Sequence, residues 1–221
     1  MHEHEMLLSP AGVEQLRTAL SEADFTARGI AARLGEEVTA AVARHDYRAA
    51  LRATTDRDPL ATLIRLFVCG QTEPEAAVAA ALAPLPLAEA LAAGLVERHA
   101  DGLRQAVDLE PYGESWWVVS DLPATARPGP LARDHVLGVG GASHTLVGAT
   151  LRRPVGTALD LGTGCGVQAL HLSTHAAAVT ATDVSARALR FAATTAALNG
   201  YLWELLKGDL LAPVAGRRFD L

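Results

Sequence analysis

The chain has 221 residues, 50% of them hydrophobic, and a formal net charge of −6; its isoelectric point is about 5.7 and its mean hydropathy +0.18. That composition excludes a disordered chain and gives one or two domains enough apolar material to fold without staples. The acidic balance excludes a general nucleic-acid binder, though a local basic patch is compatible with it.

The opening residues Met1, His2, Glu3, His4 and Glu5 are acidic and lead into no long apolar run, so they read as neither signal peptide nor membrane anchor. Cys69 and Cys165 stand far apart without a metal-ligand spacing and read as reduced thiols of a cytoplasmic protein.

Residues 1–123 read as a mostly helical domain. Ser9-Pro10 is a cap followed by proline at the first helical position, and it starts a helix through Leu20. Thr26 starts a second helix through Leu34, ended by Gly35. A third is predicted from Glu36 or Glu37 through Ala53, which sets Arg44, Arg48 and Arg52 on one face at i, i+4, i+8. That stripe fits a phosphate contact, but a solvated face paired with Glu37 and Asp56 explains it as well.

Asp58-Pro59 starts a helix to Val68, Thr72 and Pro74-Glu75 start one to Ala83, and Pro86 starts a short one to Ala93, closed by Gly94. Strands are expected at Leu95–Glu97, Leu103–Leu109 and Trp116–Ser120, with a turn at Ala100-Asp101-Gly102. Adjacent Trp116 and Trp117 would point to opposite faces of the last strand, one of them into the core.

Helices followed by a small antiparallel sheet make a winged-helix pattern. Its would-be recognition helix, Pro86 to Ala93, carries Glu89 and no Lys or Arg, and only Arg98, His99 and Arg104 lie near the wing. Reading base edges takes Arg, Lys, Asn or Gln on that helix. The pattern therefore predicts packing, dimerisation or substrate presentation, without sequence-specific DNA binding.

Residues 124–131, between Pro123 and Ala132 and holding Pro128, Gly129 and Pro130, read as a linker to a second domain at 132–221. There, a short apolar strand, Thr157 to Leu159, runs into Asp160-Leu161-Gly162-Thr163-Gly164-Cys165-Gly166, and an Ala- and Leu-rich helix follows. Glycines let a backbone turn tightly and approach a ligand closely, and the helix start offers free N–H groups. A dinucleotide fingerprint needs a glycine where Val167 stands, and a phosphate loop needs Gly-Lys-Ser or Gly-Lys-Thr, so both are excluded. An ordinary glycine-rich turn is the plain alternative.

A second buried strand, Ala178 to Thr182, ends at Asp183 and Val184, where an acid is placed to accept ribose hydroxyls. Ser185 caps a helix from Ala186 to Leu198, which Asn199-Gly200 ends. A third strand, Trp203 to Leu206, leads to Gly208-Asp209-Leu210. Loop, acid, acid after three successive strands is a consistent register.

The Asp-x-Gly-x-Gly-x-Gly run, with Asp183 and Asp209, resembles the class I S-adenosylmethionine-dependent methyltransferases. Ala158 to Gly166, Ala197 to Gly200 and Arg218 to Leu221 are similar to the "small-domain" branch, which includes release-factor glutamine N5-methyltransferases and ribosomal-RNA guanine N2-methyltransferases. The resemblance covers roughly the last ninety residues and implies a Rossmann-like doubly wound α/β domain after the winged-helix-like one. It implies cofactor contacts at Asp160, Gly162, Thr163, Gly164, Cys165, Gly166, Asp183 and Val184, with Asp209 and Leu210 near the adenine.

Gly140 and Ser143, in the Gly138–Thr145 stretch, match the segment that closes over the methionine end of the cofactor. The Pro-Arg-Pro element usual there in the glutamine enzymes is absent. The Asn-Pro-Pro-aromatic motif that holds the acceptor nitrogen in the related families falls beyond Leu221, so the catalytic domain reads as incomplete in this chain and no catalytic residue is assigned.

The resemblance implies methylation of a planar nitrogen on a macromolecule, a translation protein or ribosomal RNA, in the cytoplasm. A small-molecule O-methyltransferase with a winged-helix dimerisation domain is the second reading, and a cofactor- or partner-binding module without catalysis is the third. His171 and His175, four apart, lack the Glu of His-Glu-x-x-His, since Leu172 stands there, so no metal site is expected.

Overall fold

The structure, a computed structural model, describes residues 5–126 and 129–221. Residues 1–4 of the acidic start, and Pro128 of the predicted linker, lie outside the described residues. Two compact units are present: Leu8–Trp117, and Val118–Leu221 together with the N-terminal stretch up to Leu7.

The first unit opens with α1 (Pro10–Glu22) and α2 (Ala27–Leu34), each begun by the expected cap: Ser9 Oγ accepts the Gly12 N–H and Thr26 Oγ1 the Gly29 N–H. The long third helix is instead two, α3 (Glu36–Val42) and α4 (Arg48–Ala53). The His45 N–H turns back to Val42 O and the Asp46 N–H to Ala41 O, while His45 takes a left-handed φ of 61°. Arg44 therefore sits in a turn, off the line of Arg48 and Arg52. Arg48 pairs with Asp46 at 2.7 Å, and Asp56 pairs with Arg33.

Next come α5 (Pro59–Leu63), which widens into a π turn over Ile64–Val68, then α6 (Glu75–Leu82) and α7 (Leu87–Ala92). Two strand pairs follow, β1 (Val96–His99) with β2 (Gly102–Gln105), and β3 (Asp108–Tyr112) with β4 (Trp116–Ser120). The expected strand Leu103–Leu109 is thus divided, because beyond Gln105 the Ala106 N–H turns to Leu95 O.

Leu16, Leu20, Phe25, Leu63, Leu82 and Leu103 are among the fully buried core residues of this unit. Trp117 joins them, its indole N–H donating to Phe25 O at 2.7 Å, while Trp116 stacks on Tyr112. Glu73 is buried without exposure and is neutralised by Arg65 at 2.6 Å and Arg57 at 3.0 Å. Its backbone exchanges two hydrogen bonds with Leu103, which ties the segment before α6 to β2.

The second unit holds α8 (Gly141–Ala149), β5 (Val155–Leu161), α9 (Val167–Leu172), β6 (Ala176–Asp183), α10 (Ala186–Leu198) and β7 (Glu204–Lys207). The three strands form one parallel sheet in the order β5-β6-β7, with Asp160 opposite Ala181 and Asp183 opposite Lys207. Alternating strands and helices favour this arrangement, since parallel neighbours need a crossover.

On the other side of β5, the Asp220 N–H donates to Thr157 O and the Leu159 N–H to Leu221 O at 2.9 Å. Backbone on both flanks makes β5 an interior strand. Helix α10 buries Leu189, Phe191 and Leu198, and its Thr194 hydroxyl accepts the Leu7 N–H at 3.0 Å. The molecule is mixed α/β, with a helical N-terminal region and a C-terminal parallel sheet.

Candidate functional site

Loops at the C-terminal ends of parallel strands gather side chains where helix N-termini also point, and here the ends of β5, β6 and β7 meet. Asp160, the sixth residue of β5, is 7% exposed. Its Oδ2 accepts the Thr163 hydroxyl at 2.6 Å and the Ala169 N–H at 3.1 Å. Burial pushes this carboxyl up, opposed by those two bonds, with the Asp183 charge adding to the rise. Asp160 thus clamps the glycine loop from beneath and ties it to the first turns of α9.

Between those anchors the loop is set by its neighbour strand. The N–H groups of Gly162 and Thr163 both donate to Thr182 O at 2.9 Å, and the Gly164 N–H donates to Asp183 Oδ2 at 3.0 Å. Gly162, Gly164 and Gly166 take φ of 74°, 56° and 90°, a region that disfavours side chains.

The three glycines differ in their surroundings. A Cβ on Gly162 or Gly164 would meet nothing within 4 Å, whereas one on Gly166 would come within 2.7 Å of the Trp203 ring. The first two leave open space over the loop. The third makes room for an indole that is itself held by its N–H donating to Ser173 Oγ at 2.8 Å. Trp203 was read from sequence only as the start of a strand; the third glycine of the motif is the signal that a bulky side chain packs there. Cys165 is buried beside it in the loop.

Asp183 ends β6 with both carboxylate oxygens in use: Oδ2 on Gly164, and Oδ1 accepting the Ser185 N–H at 2.8 Å. Ser185 in turn caps α10 by accepting the Ala188 N–H. Val184 is 67% exposed. The Gly208 N–H donates to Asp183 O at 3.0 Å, bringing the third acid loop alongside. In that loop Asp209 is exposed, and Leu210 is 70% exposed with a left-handed φ of 44°.

Gly140 caps α8, and Ser143 lies in its first turn, where its carbonyl accepts the Gln168 side-chain N–H at 3.0 Å. Gln168, like Thr182, is a connecting residue with no sequence signature. The structure therefore joins the Gly162–Gly166 loop directly to Asp160 and Asp183. It links Asp209 and Leu210 through Gly208, and Ser143 through Gln168.

The pair His171 and His175 does not share a helix, because α9 ends at Leu172. Among the described residues, no group of three or more His, Cys, Asp or Glu is placed to hold a metal ion.

The profile of the methyltransferase small domain matches residues 137–221, and that of a domain of unknown function (DUF7059) matches residues 22–106. Over 113 residues the chain is 34% identical to the ribosomal RNA small subunit methyltransferase C of Cronobacter sakazakii (strain ATCC BAA-894), covering 49% of this chain and 32% of that protein. The proteins of the same name from Salmonella choleraesuis (strain SC-B67) and Salmonella newport (strain SL254) match with the same identity and coverage. The chain thus spans about a third of the length of the curated relatives it matches. Residues 137–221, with their glycine loop and two acids on a parallel sheet, are similar to the methyltransferase small domain.

Proposed function

We propose that the second unit binds S-adenosylmethionine and serves a methyltransferase whose acceptor is a planar nitrogen of ribosomal RNA. The observation that carries this reading is the open space over Gly162 and Gly164, flanked by Asp183: a Cβ-free cradle that the protein itself does not fill. When bound, the cofactor supplies a methyl group on a sulfonium.

The residues' own work is binding and orientation. The loop at Gly162, Thr163, Gly164, Cys165 and Gly166, stiffened by Asp160, takes the amino-acid part. Asp183 keeps lone pairs free for ribose hydroxyls, and Val184 and Leu210 offer apolar surface to a flat base beside the Asp209 carboxylate. Gly140 and Ser143 bound the opposite end. A ribosomal RNA acceptor is supported by the names of the relatives and by the charge distribution. The first unit holds 10 Arg against 16 Asp and Glu, which accounts for the whole net charge of −6, and the remainder balances at 9 and 9.

We read Leu8–Trp117 as a winged-helix domain. Its three helices are α5, α6 and α7, its first strand is the Glu73 segment bridged to β2, and its wing is the β1–β2 hairpin. Its helix α7 is engaged internally, since Glu89 Oε1 accepts the Ser9 hydroxyl at 2.7 Å, and the wing cations Arg98 and Arg104 pair with Glu75 and Glu97. That supports a packing or presentation role over DNA reading. Residues 124–131 are then the linker, and the cytoplasm the expected compartment; no helix among the described residues is long and apolar enough to cross a membrane.

Calorimetric titration with S-adenosylhomocysteine tests the reading. The chain should bind saturably, and Asp183→Asn should weaken binding by roughly tenfold or more, the worth of a charge-assisted hydrogen bond. A well-folded chain that binds neither S-adenosylmethionine nor S-adenosylhomocysteine would sink it.

A further inference from the structure

His171 and His175 stand in other company. Ser143 O accepts the Gln168 side chain, which sets His144 of α8 against α9, and His171 follows Gln168 by one helical turn. His175 closes the segment after α9, and its carbonyl accepts the Val155 N–H at 2.9 Å, placing the exposed pair Arg152 and Arg153 at the foot of β5 beside it. Besides burial, the charges that act on the His171 imidazole are those of Arg152, His144 and His175, and each opposes its protonation.

Arg152 pairs with no carboxylate among the described residues. Arg153 faces Asp220, whose carboxylate is already held by the Thr157 N–H and hydroxyl. Elsewhere in this unit Arg187 is neutralised by Asp121 and Arg217 by Glu204. On the α8–α9 surface the exposed Arg152 stands with the His144 and His171 imidazoles.

Gathered groups of one sign raise the local anion concentration. A neutral imidazole still donates one N–H, and an anion beside it favours the charged form. The groups are strung along a surface running from Ser143 to the start of β5 and do not converge on one point, so they suit a chain of phosphates better than a single small anion. His175, whose Nε2 is buried, is left out of the contact. We propose that Arg152, His144 and His171 contact the phosphate backbone of RNA flanking the acceptor nucleotide. This rests on the RNA-methyltransferase reading above.

The test is fluorescence anisotropy with a labelled RNA hairpin at several salt concentrations, on the full chain. The double variant Arg152→Gln/His171→Gln should weaken binding about tenfold at low salt. It should also flatten the salt dependence by about one counterion for the lost arginine. Arg152→Lys should keep most of the affinity, and Arg17→Gln, in the acidic unit, should change nothing. Equal binding by wild type and double variant, or no RNA binding by the wild type, overturns the proposal.

Parallel titration with S-adenosylhomocysteine keeps the two readings apart. The double variant should bind it as the wild type does. Failure of the wild type to bind it, with the RNA result intact, would remove the methyltransferase reading and leave the RNA surface standing.

Discussion

At the scale of single residues, the glycines of the loop look alike in sequence and differ in physical role. Substituting Ala at Gly164 puts a side chain at a φ of 56° but into open space, so the expected loss of stability is about 1 kcal/mol, with S-adenosylhomocysteine binding impaired. Ala at Gly166 carries the same kind of strain and also drives a methyl group into the Trp203 ring, so the expected loss is about 3 kcal/mol. Urea denaturation of the two variants checks the order; equal losses would mean that the indole moves aside at no cost. The sequence made the loop and Asp160 legible because the turn dictates their spacing, and Asp183 and Asp209 because each stands at or just beyond the end of a readable strand. It did not show Trp203 or Thr182, because an indole packed under a glycine and a carbonyl that serves two N–H groups leave no pattern of their own.

At the scale of elements, caps were read well and breaks were not. Helix α10 runs over the expected Ala186–Leu198, since Ser185 and Asn199-Gly200 announce its ends. The break between α3 and α4 occurs at His45, which adopts a left-handed conformation without being glycine, so composition gave no warning. The division of β2 from β3 likewise depends on Ala106 turning to Leu95, a tertiary choice.

The caps also differ in what hangs on them. Ser9 Oγ both accepts from Gly12 and donates to Glu89, so Ser9→Ala should cost about 1–2 kcal/mol. Ser185 Oγ accepts the Ala188 N–H at 3.2 Å and makes no other hydrogen bond among the described residues, so Ser185→Ala should cost about 0.5–1 kcal/mol. Thermal denaturation ranks them, and the reverse order would assign the Ser9–Glu89 bond no weight.

At the scale of the molecule, two compact units with separate cores are expected to unfold in two transitions. One side chain distinguishes them. Burial pushes the Asp108 carboxyl up to about 6, from an ordinary value near 3.9. The folded first unit therefore binds a proton that its unfolded chain releases between about pH 4 and 6. The stability that depends on this proton is complete below about pH 4 and lost as the pH rises through 6.

Asp108→Asn removes that loss. The variant should match the wild type near pH 4 and melt roughly 5 °C higher at pH 7.5, in the transition of Leu8–Trp117 alone. A pH-independent difference, or a shift in both transitions, would contradict the assignment. The helices and hairpins of the first unit were legible as a pattern, but the Glu73–Leu103 bridge that ties the segment before α6 to β2 is one residue pair long, below the length at which alternation can be seen.

The indole beneath Gly166 has a further consequence. Trp116 and Trp117 belong to one unit and Trp203 to the other, so each unit carries its own natural fluorophore. The one in the second unit sits in van der Waals range of the glycine loop, buried and with its N–H on Ser173. A ligand seated on that loop would change the local dielectric around an emitting ring, so Trp203 emission is expected to gauge its occupancy.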